Sequence, residues 1–113
     1  MATESEIKTA LNKWAKALDK ENVASEFEGF NKTMQFNFED NGVKLQLVIK
    51  DKKAKVVDGF NPNAEMSLDV NSDLFMGISK GEVDPMEAFM EGQFKVKGDM
   101  AELEKLQVFM DEA

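Results

Sequence analysis

Two alternating runs joined by one tight turn constrain this chain more than any other stretch. Phe36 and Phe38 alternate with Gln35 and Asn37, Asp40-Asn41-Gly42 follows, and Val43, Leu45, Leu47 and Ile49 then alternate with Lys44, Gln46 and Lys50. Side chains along a strand point to opposite faces in turn, so a period of two predicts strands with one apolar face. Asn-Gly between them supplies the backbone conformation of a tight hairpin. A second turn around Asp51 to Lys53 leads to a short strand near Lys55 to Asp58, and Gly59 to Asn63, with Pro62, reads as a loop. Met66, Leu68 and Val70 alternate with Glu65, Ser67 and Asp69 as a fourth strand.

Helical spacing frames these strands. Ile7, Leu11, Trp14 and Leu18 recur on one face of a predicted helix, and Thr3 with Glu6 forms a capping-box spacing before it. Asn71 or Ser72 caps a helix containing Leu74, Phe75 and Ile78, which ends at Gly81. Asp84-Pro85, with Glu87, starts a further helix that Gly92 stops. Phe94-Lys95-Val96-Lys97 then alternates as a fifth strand, Gly98 breaks it, and Asp99 with Glu102 opens a last helix carrying Met100, Leu103, Leu106 and Met110. One five-stranded sheet with helices covering one face accounts for every element, which is an α+β fold. At 113 residues, without repeats or a long linker, residues 1–113 are expected to form one domain.

Composition removes most chemistries. The chain has no His, Cys, Tyr or Arg, so Ser-His pairing, imidazole or thiolate metal ligation, disulfides and bidentate phosphate clamps are unavailable. Neighbouring acids such as Glu82 and Asp84 fall at turns and caps, where solvated carboxylates are ordinary. Neither catalysis nor a cofactor nor a metal is expected. A net charge of −8 argues against nucleic-acid binding. No apolar run approaches the roughly 20 residues that cross a bilayer, the first residues lack a signal pattern, and Asp-Glu-Ala at the end is no peroxisomal address; a cytoplasmic location is expected.

Pro85 to Gly92, Phe94 to Gly98 and Met100 to Gln107 follow the order P-M-x-A-F-M-x-G, an alternating lysine strand ending in K-G, and a helix reaching K-L-Q. That order resembles the C-terminal signature of the sterol carrier protein type two family of small lipid-binding domains. The resemblance implies a mostly antiparallel sheet, helices over one face, and an apolar tunnel between them for fatty acids, acyl-CoA or sterols. It places Phe75, Ile78, Met86, Phe89, Met90, Met100, Leu103, Leu106 and Met110 around the tunnel, with Gln107 as the candidate polar contact to a ligand head group, an exposed helix residue being the other reading of it. Six of the eight Met residues lie in the second half of the chain, and such pliable side chains suit a cavity that re-packs around its ligand, although each singly reads as core.

Charge refines the expectation. Eight acids lie between Asp58 and Glu91 against Lys80 alone, whereas Lys8, Lys13, Lys16 and Lys20 make the first helix a basic island. Lys8, Lys13, Trp14 and Lys16 are therefore candidates for transient membrane contact, with Trp14 packed on the sheet as the other reading. Family members are typically basic and this chain is acidic, which favours a fatty acid, neutral lipid or other apolar ligand over acyl-CoA. The competing reading is a scaffold or protein-interaction module whose tunnel is filled or used by a partner. Only Gln107 to Ala113 follow Leu106, which favours an open mouth.

Overall fold

In the computed structural model, residues 1–98, 104, 105 and 107–109 are described. The Asn41-Gly42 turn closes as its residues require. Gly42 takes φ 73°, its N–H donates to Phe38 O at 2.9 Å, and Asn41 Oδ1 accepts from Val43 N at 3.0 Å. The strands it joins, β1 (Lys32–Phe38) and β2 (Lys44–Lys50), pair antiparallel with Phe36 opposite Leu45 and Met34 opposite Leu47. A one-residue slip would turn this apolar row to water, so burial fixes the register. Strand β3 (Lys53–Asp58) starts earlier than the spacing predicted, because Asp51 and Lys52 both adopt positive φ and close a two-residue turn with Lys50 opposite Lys53.

With β4 (Met66–Val70) and β5 (Lys95–Lys97) the sheet has five strands in the order β3-β2-β1-β4-β5. The β1–β4 ladder is parallel and the others antiparallel, so the expected mostly antiparallel sheet is observed. Met34, Phe36, Phe38, Leu45, Leu47, Ile49, Met66, Leu68 and Val70 are buried on one face. Helix α1 (Glu4–Ala17) lays Ile7, Leu11 and Trp14 into the same core, with Leu18 at its C-cap. Its N-terminus carries the predicted capping box, Glu6 N donating to Thr3 Oγ1 at 3.1 Å and Thr3 N to Glu6 Oε1 at 3.0 Å. Among the described residues no helix is long and apolar enough to cross a membrane.

No periodicity marks α2 (Glu21–Ala24) or the 3-10 turn Ser25–Phe27 that follows it, yet both bury side chains, Val23 and Phe27 at 0% exposure. Helix α3 (Ser72–Ser79) is capped by Asn71, whose Oδ1 accepts from Asp73 N at 2.9 Å. Ser72 is freed for another role. Its buried hydroxyl donates to Asp40 Oδ2 at 2.5 Å and accepts from Ala2 N at 3.0 Å, tying the first residues and the β1–β2 turn to α3. Helix α4 (Pro85–Met90) is capped by Asp84, which accepts from Met86 N at 2.8 Å, and ends at Gly92. Gly98, just past β5, sits at φ 122°, and a Cβ there would lie 2.6 Å from Glu65 O.

Gly98→Ala is expected to cost at least about 2 kcal/mol, since it combines a disfavoured φ with a backbone clash. Urea denaturation checks this, and a loss under about 0.5 kcal/mol would contradict it. Asp40 has its pKa lowered, first by the Ser72 hydroxyl. A depressed folded pKa stabilises fully above the ordinary carboxylate range and is lost as pH falls through the folded value. Melting temperature of the wild type should therefore drop more steeply than that of Asp40→Asn from about pH 5 to pH 2; parallel curves would remove this linkage.

Candidate functional site

Helix α1 presents Trp14 to the sheet, and aromatic rings gather around it from distant parts of the chain. Phe75 of α3 meets the indole edge-on at a centroid distance of 5.3 Å, and Phe36 of β1 lies at 6.3 Å. Phe109 stacks on it at 5.5 Å with 7° between planes, and Phe27 lies 4.9 Å from Phe109. Phe75 also meets Phe36 at 5.6 Å and Phe38 at 5.3 Å. Offset and edge-to-face pairs like these contribute about 0.5–1.5 kcal/mol each beyond the area they bury. One group in this cluster lacks a partner among the described residues. None of them accepts a hydrogen bond from Trp14 Nε1, which is buried in a residue 1% exposed.

Of the residues the resemblance placed around a tunnel, Phe75 and Ile78 are in the core. Met86 and Phe89 are half-buried against it, and Phe89 lies 5.9 Å from Phe94. Met90 is at the surface, 81% exposed, because Pro85 and Ala88 take the inner side of a six-residue helix and Met90 falls opposite Ala88. Gln107 is half-buried in the last helical stretch, and Met100, Leu103, Leu106 and Met110 lie outside the described residues. The structure also fills the position the sequence reading left open. Phe109, in the tail expected to leave the mouth clear, is buried at 0% exposure. Its spacing of three from Leu106 on the apolar stripe was the available signal.

Among the membrane-contact candidates, Trp14 is in the core, so the sheet-packed reading describes its position. Lys8 sits between Asp58 at 3.0 Å and Glu4 at 3.4 Å; hydrogen bonding to Asp58 and then Glu4 raises its pKa. Lys13 and Lys16 are exposed. Lys105 holds the last helical stretch to the 3-10 turn, donating to Glu26 O with its ammonium 5.3 Å from the Phe27 ring centroid.

The opposite face of the sheet carries the polar side chains. Gln35 is buried there at 0% exposure, its Nε2 within 3.2 Å of Leu45 O, Gly59 O and Asn37 Oδ1, while its Oε1 accepts from Asn61 N at 2.8 Å. The loop after β3 is thereby drawn across the sheet, and a hollow of about 400 Å³ lies between this loop and Ser67, Asp69 and Lys97. A second hollow, about 170 Å³, opens between α1 and α3 beside Ala10 and Met76. Among the described residues no cluster of three or more acids is placed to hold a metal ion.

Residues 11–111 match the model of the SCP-2 sterol transfer family. A non-specific lipid-transfer protein-like 1 from Caenorhabditis elegans is 32% identical over 56 residues, covering 50% of this chain and 48% of that protein, so the match spans about half of this curated relative. The apo sterol carrier protein 2 of Yarrowia lipolytica shares the fold at TM-score 0.66 and 20% identity, over 91% of this chain and 88% of that one. The stereoselective inverting sec-alkylsulfatase of a Pseudomonas species shares it at TM-score 0.63 and 24% identity, over 74% of this chain but only 13% of the enzyme.

Phe109→Ala is expected to lower stability by about 3–5 kcal/mol in urea denaturation, since it empties a buried ring position. Emission from Trp14, the chain's single tryptophan, should shift to the red as water gains access. A loss under about 1 kcal/mol with unchanged emission would show that Phe109 is not a packing partner of Trp14.

Proposed function

The chain belongs to the SCP-2 sterol transfer family, a membership that supports lipid binding and transfer in general, and we propose that it is a non-catalytic carrier. Residues 1–113 act as one lipid-binding domain. A fatty acyl chain or similarly apolar ligand lies between the helical layer and the sheet, in a space that opens when Phe109 leaves its place on Trp14. The observation that carries this reading is the indole N–H of Trp14, which has no acceptor among the described residues and sits among stacked rings. A buried donor without an acceptor costs about 1–3 kcal/mol, and a ligand bringing a hydroxyl or carbonyl oxygen to that point removes the cost. The chain need supply no chemistry beyond this, because each CH₂ withdrawn from water contributes about 0.8 kcal/mol.

Phe75, Ile78, Met86 and Phe89 are the proposed apolar contacts, joined by Met100, Leu103, Leu106 and Met110, with Gln107 as a further polar contact. The acids from Asp58 to Glu91 repel a CoA phosphate, so neutral lipids bind better than acyl-CoA. Cytoplasmic location and transient membrane contact complete the proposal. The lipid-transfer name of the nematode relative supports it at the level of lipid class.

Native mass spectrometry of protein purified without detergent should show a retained lipid mass. Calorimetric titration should rank oleyl alcohol above oleoyl-CoA, and Trp14→Phe should weaken oleyl alcohol about five- to tenfold, the worth of one hydrogen bond. Unchanged affinity in that variant would discard the indole as a polar contact. Protein that neither retains nor binds any of these lipids would overturn the carrier reading and leave the scaffold one.

A further inference from the structure

The sheet sorts charge by face in a way the linear sequence hides. The registers turn Lys44, Lys50, Lys53, Lys55, Lys95 and Lys97 to the side away from the helices, with Asp69 the one acid among the strand residues there. All six lysines are exposed, in a chain of net charge −8. Lys50 lies directly opposite Lys53, an arrangement of like charges that destabilises a strand pair. Folding alone gives no reason for it. Among the described residues flanking acids are few: Asp51 in the β2–β3 turn, Glu65 in the loop, whose Oε1 accepts from Thr33 N at 2.8 Å, and Asp19, 3.5 Å from Lys53 with both side chains 72% exposed. By contrast, Lys8 of the predicted basic helix is already held by two carboxylates.

Apolar groups are set among these cations. Val48 and Val57 are half-buried on the same face, and Val48 borders a hollow of about 400 Å³ with Lys50, Lys53, Ala54 and Lys55. Phe60, on the loop that Gln35 pins across the face, is 56% exposed, with the Lys44 ammonium 5.5 Å from its ring centroid.

We propose that this lysine-bearing face of the sheet, and not α1, docks the protein on an anionic lipid bilayer, an inference that rests on the carrier reading because a carrier must meet the membrane it serves. Charge complementarity selects the partner. Five strands about 4.8 Å apart make a surface about 20 Å wide, which lets several lysines lie within one Debye length of a headgroup layer at once. Lysine is a flexible point charge suited to a diffuse array of headgroups, whereas nucleic-acid phosphates are gripped most specifically by arginine, which the chain lacks. Phe60 and the two valines supply apolar contact at the acyl boundary, as interfacial surfaces do.

The test is co-sedimentation with phosphatidylcholine vesicles containing about 30 mol % phosphatidylserine, or none, at about 20 mM and about 300 mM salt. The wild type should bind the anionic vesicles at least about tenfold more tightly than the neutral ones, and only at low salt, since each lysine near the headgroups is worth about fivefold. Lys55→Glu with Lys97→Glu, two exposed positions, should lose about twentyfold or more, whereas Lys13→Glu with Lys16→Glu on α1 should stay within about threefold. Circular dichroism confirms that both variants fold. The proposal is overturned by no wild-type binding to anionic vesicles, by equal losses in the two variants, by loss in the α1 variant alone, or by tighter binding to duplex DNA or polyglutamate than to the vesicles. Protein that retains lipid yet fails this test refutes the docking face alone; protein that docks yet retains and binds no lipid refutes the carrier reading.

Discussion

The stack of Phe109 on Trp14 is the contact through which distant parts of the chain come to share one core. Trp14 reaches inward from α1, Phe75 from α3 and Phe36 from the central strand, and Phe109 closes over them from a short helical stretch that Lys105 and Phe27 hold in place. Each ring is buried by rings contributed from elsewhere, so the order of α1 and of residues 107–109 is mutual. The same density of rings leaves the indole N–H stranded. A core that packs this tightly while leaving one donor unsatisfied among the described residues is well formed for its own stability except at one point, the edge of the indole on which Phe109 stacks.

How much of this was legible in the residues follows from how local each signal is. The Asn41-Gly42 hairpin, the Thr3–Glu6 capping box and the Asp84-Pro85 helix start all rest on contacts between neighbours, and all three are present. Phe75 and Ile78 belong to the core because helical spacing puts them on one face of α3. The segment holding Val23 and Phe27 gave no warning, since one turn of helix followed by a 3-10 turn is too short for any period to emerge. Met90 is the converse case: a motif sets it beside apolar neighbours, whereas the six-residue helix turns Pro85 and Ala88 inward and leaves Met90 at the surface. Phe109 lies three residues past Leu106, so the helical spacing that marks Leu106 marks it too, although the shortness of the tail suggests an open mouth.

Charge was the least legible property, because counting along the chain ignores which way a side chain points. Read linearly, Lys8 to Lys20 is the basic region; in space Lys8 is paired with Glu4 and Asp58, and six lysines gather on one face from alternate residues of three strands, β2, β3 and β5. Period-two alternation does this efficiently. Every lysine in an alternating strand lands on the same side as the last, so a modest number of them, distributed widely in sequence, becomes one surface, while among the described residues most acids lie in helices, caps and turns.

Gln35 has a consequence of its own. A single amide gathers Leu45, Asn37, Gly59 and Asn61, so the crossing of the loop over the sheet is decided by the strand beneath it and hardly at all by the residues at its crest. Pro62 to Ala64 lie beyond that fastening. They form a place where foreign peptide could be spliced in and displayed at a fixed height above the sheet, with the splice bearing none of the tension that keeps the crossing in place.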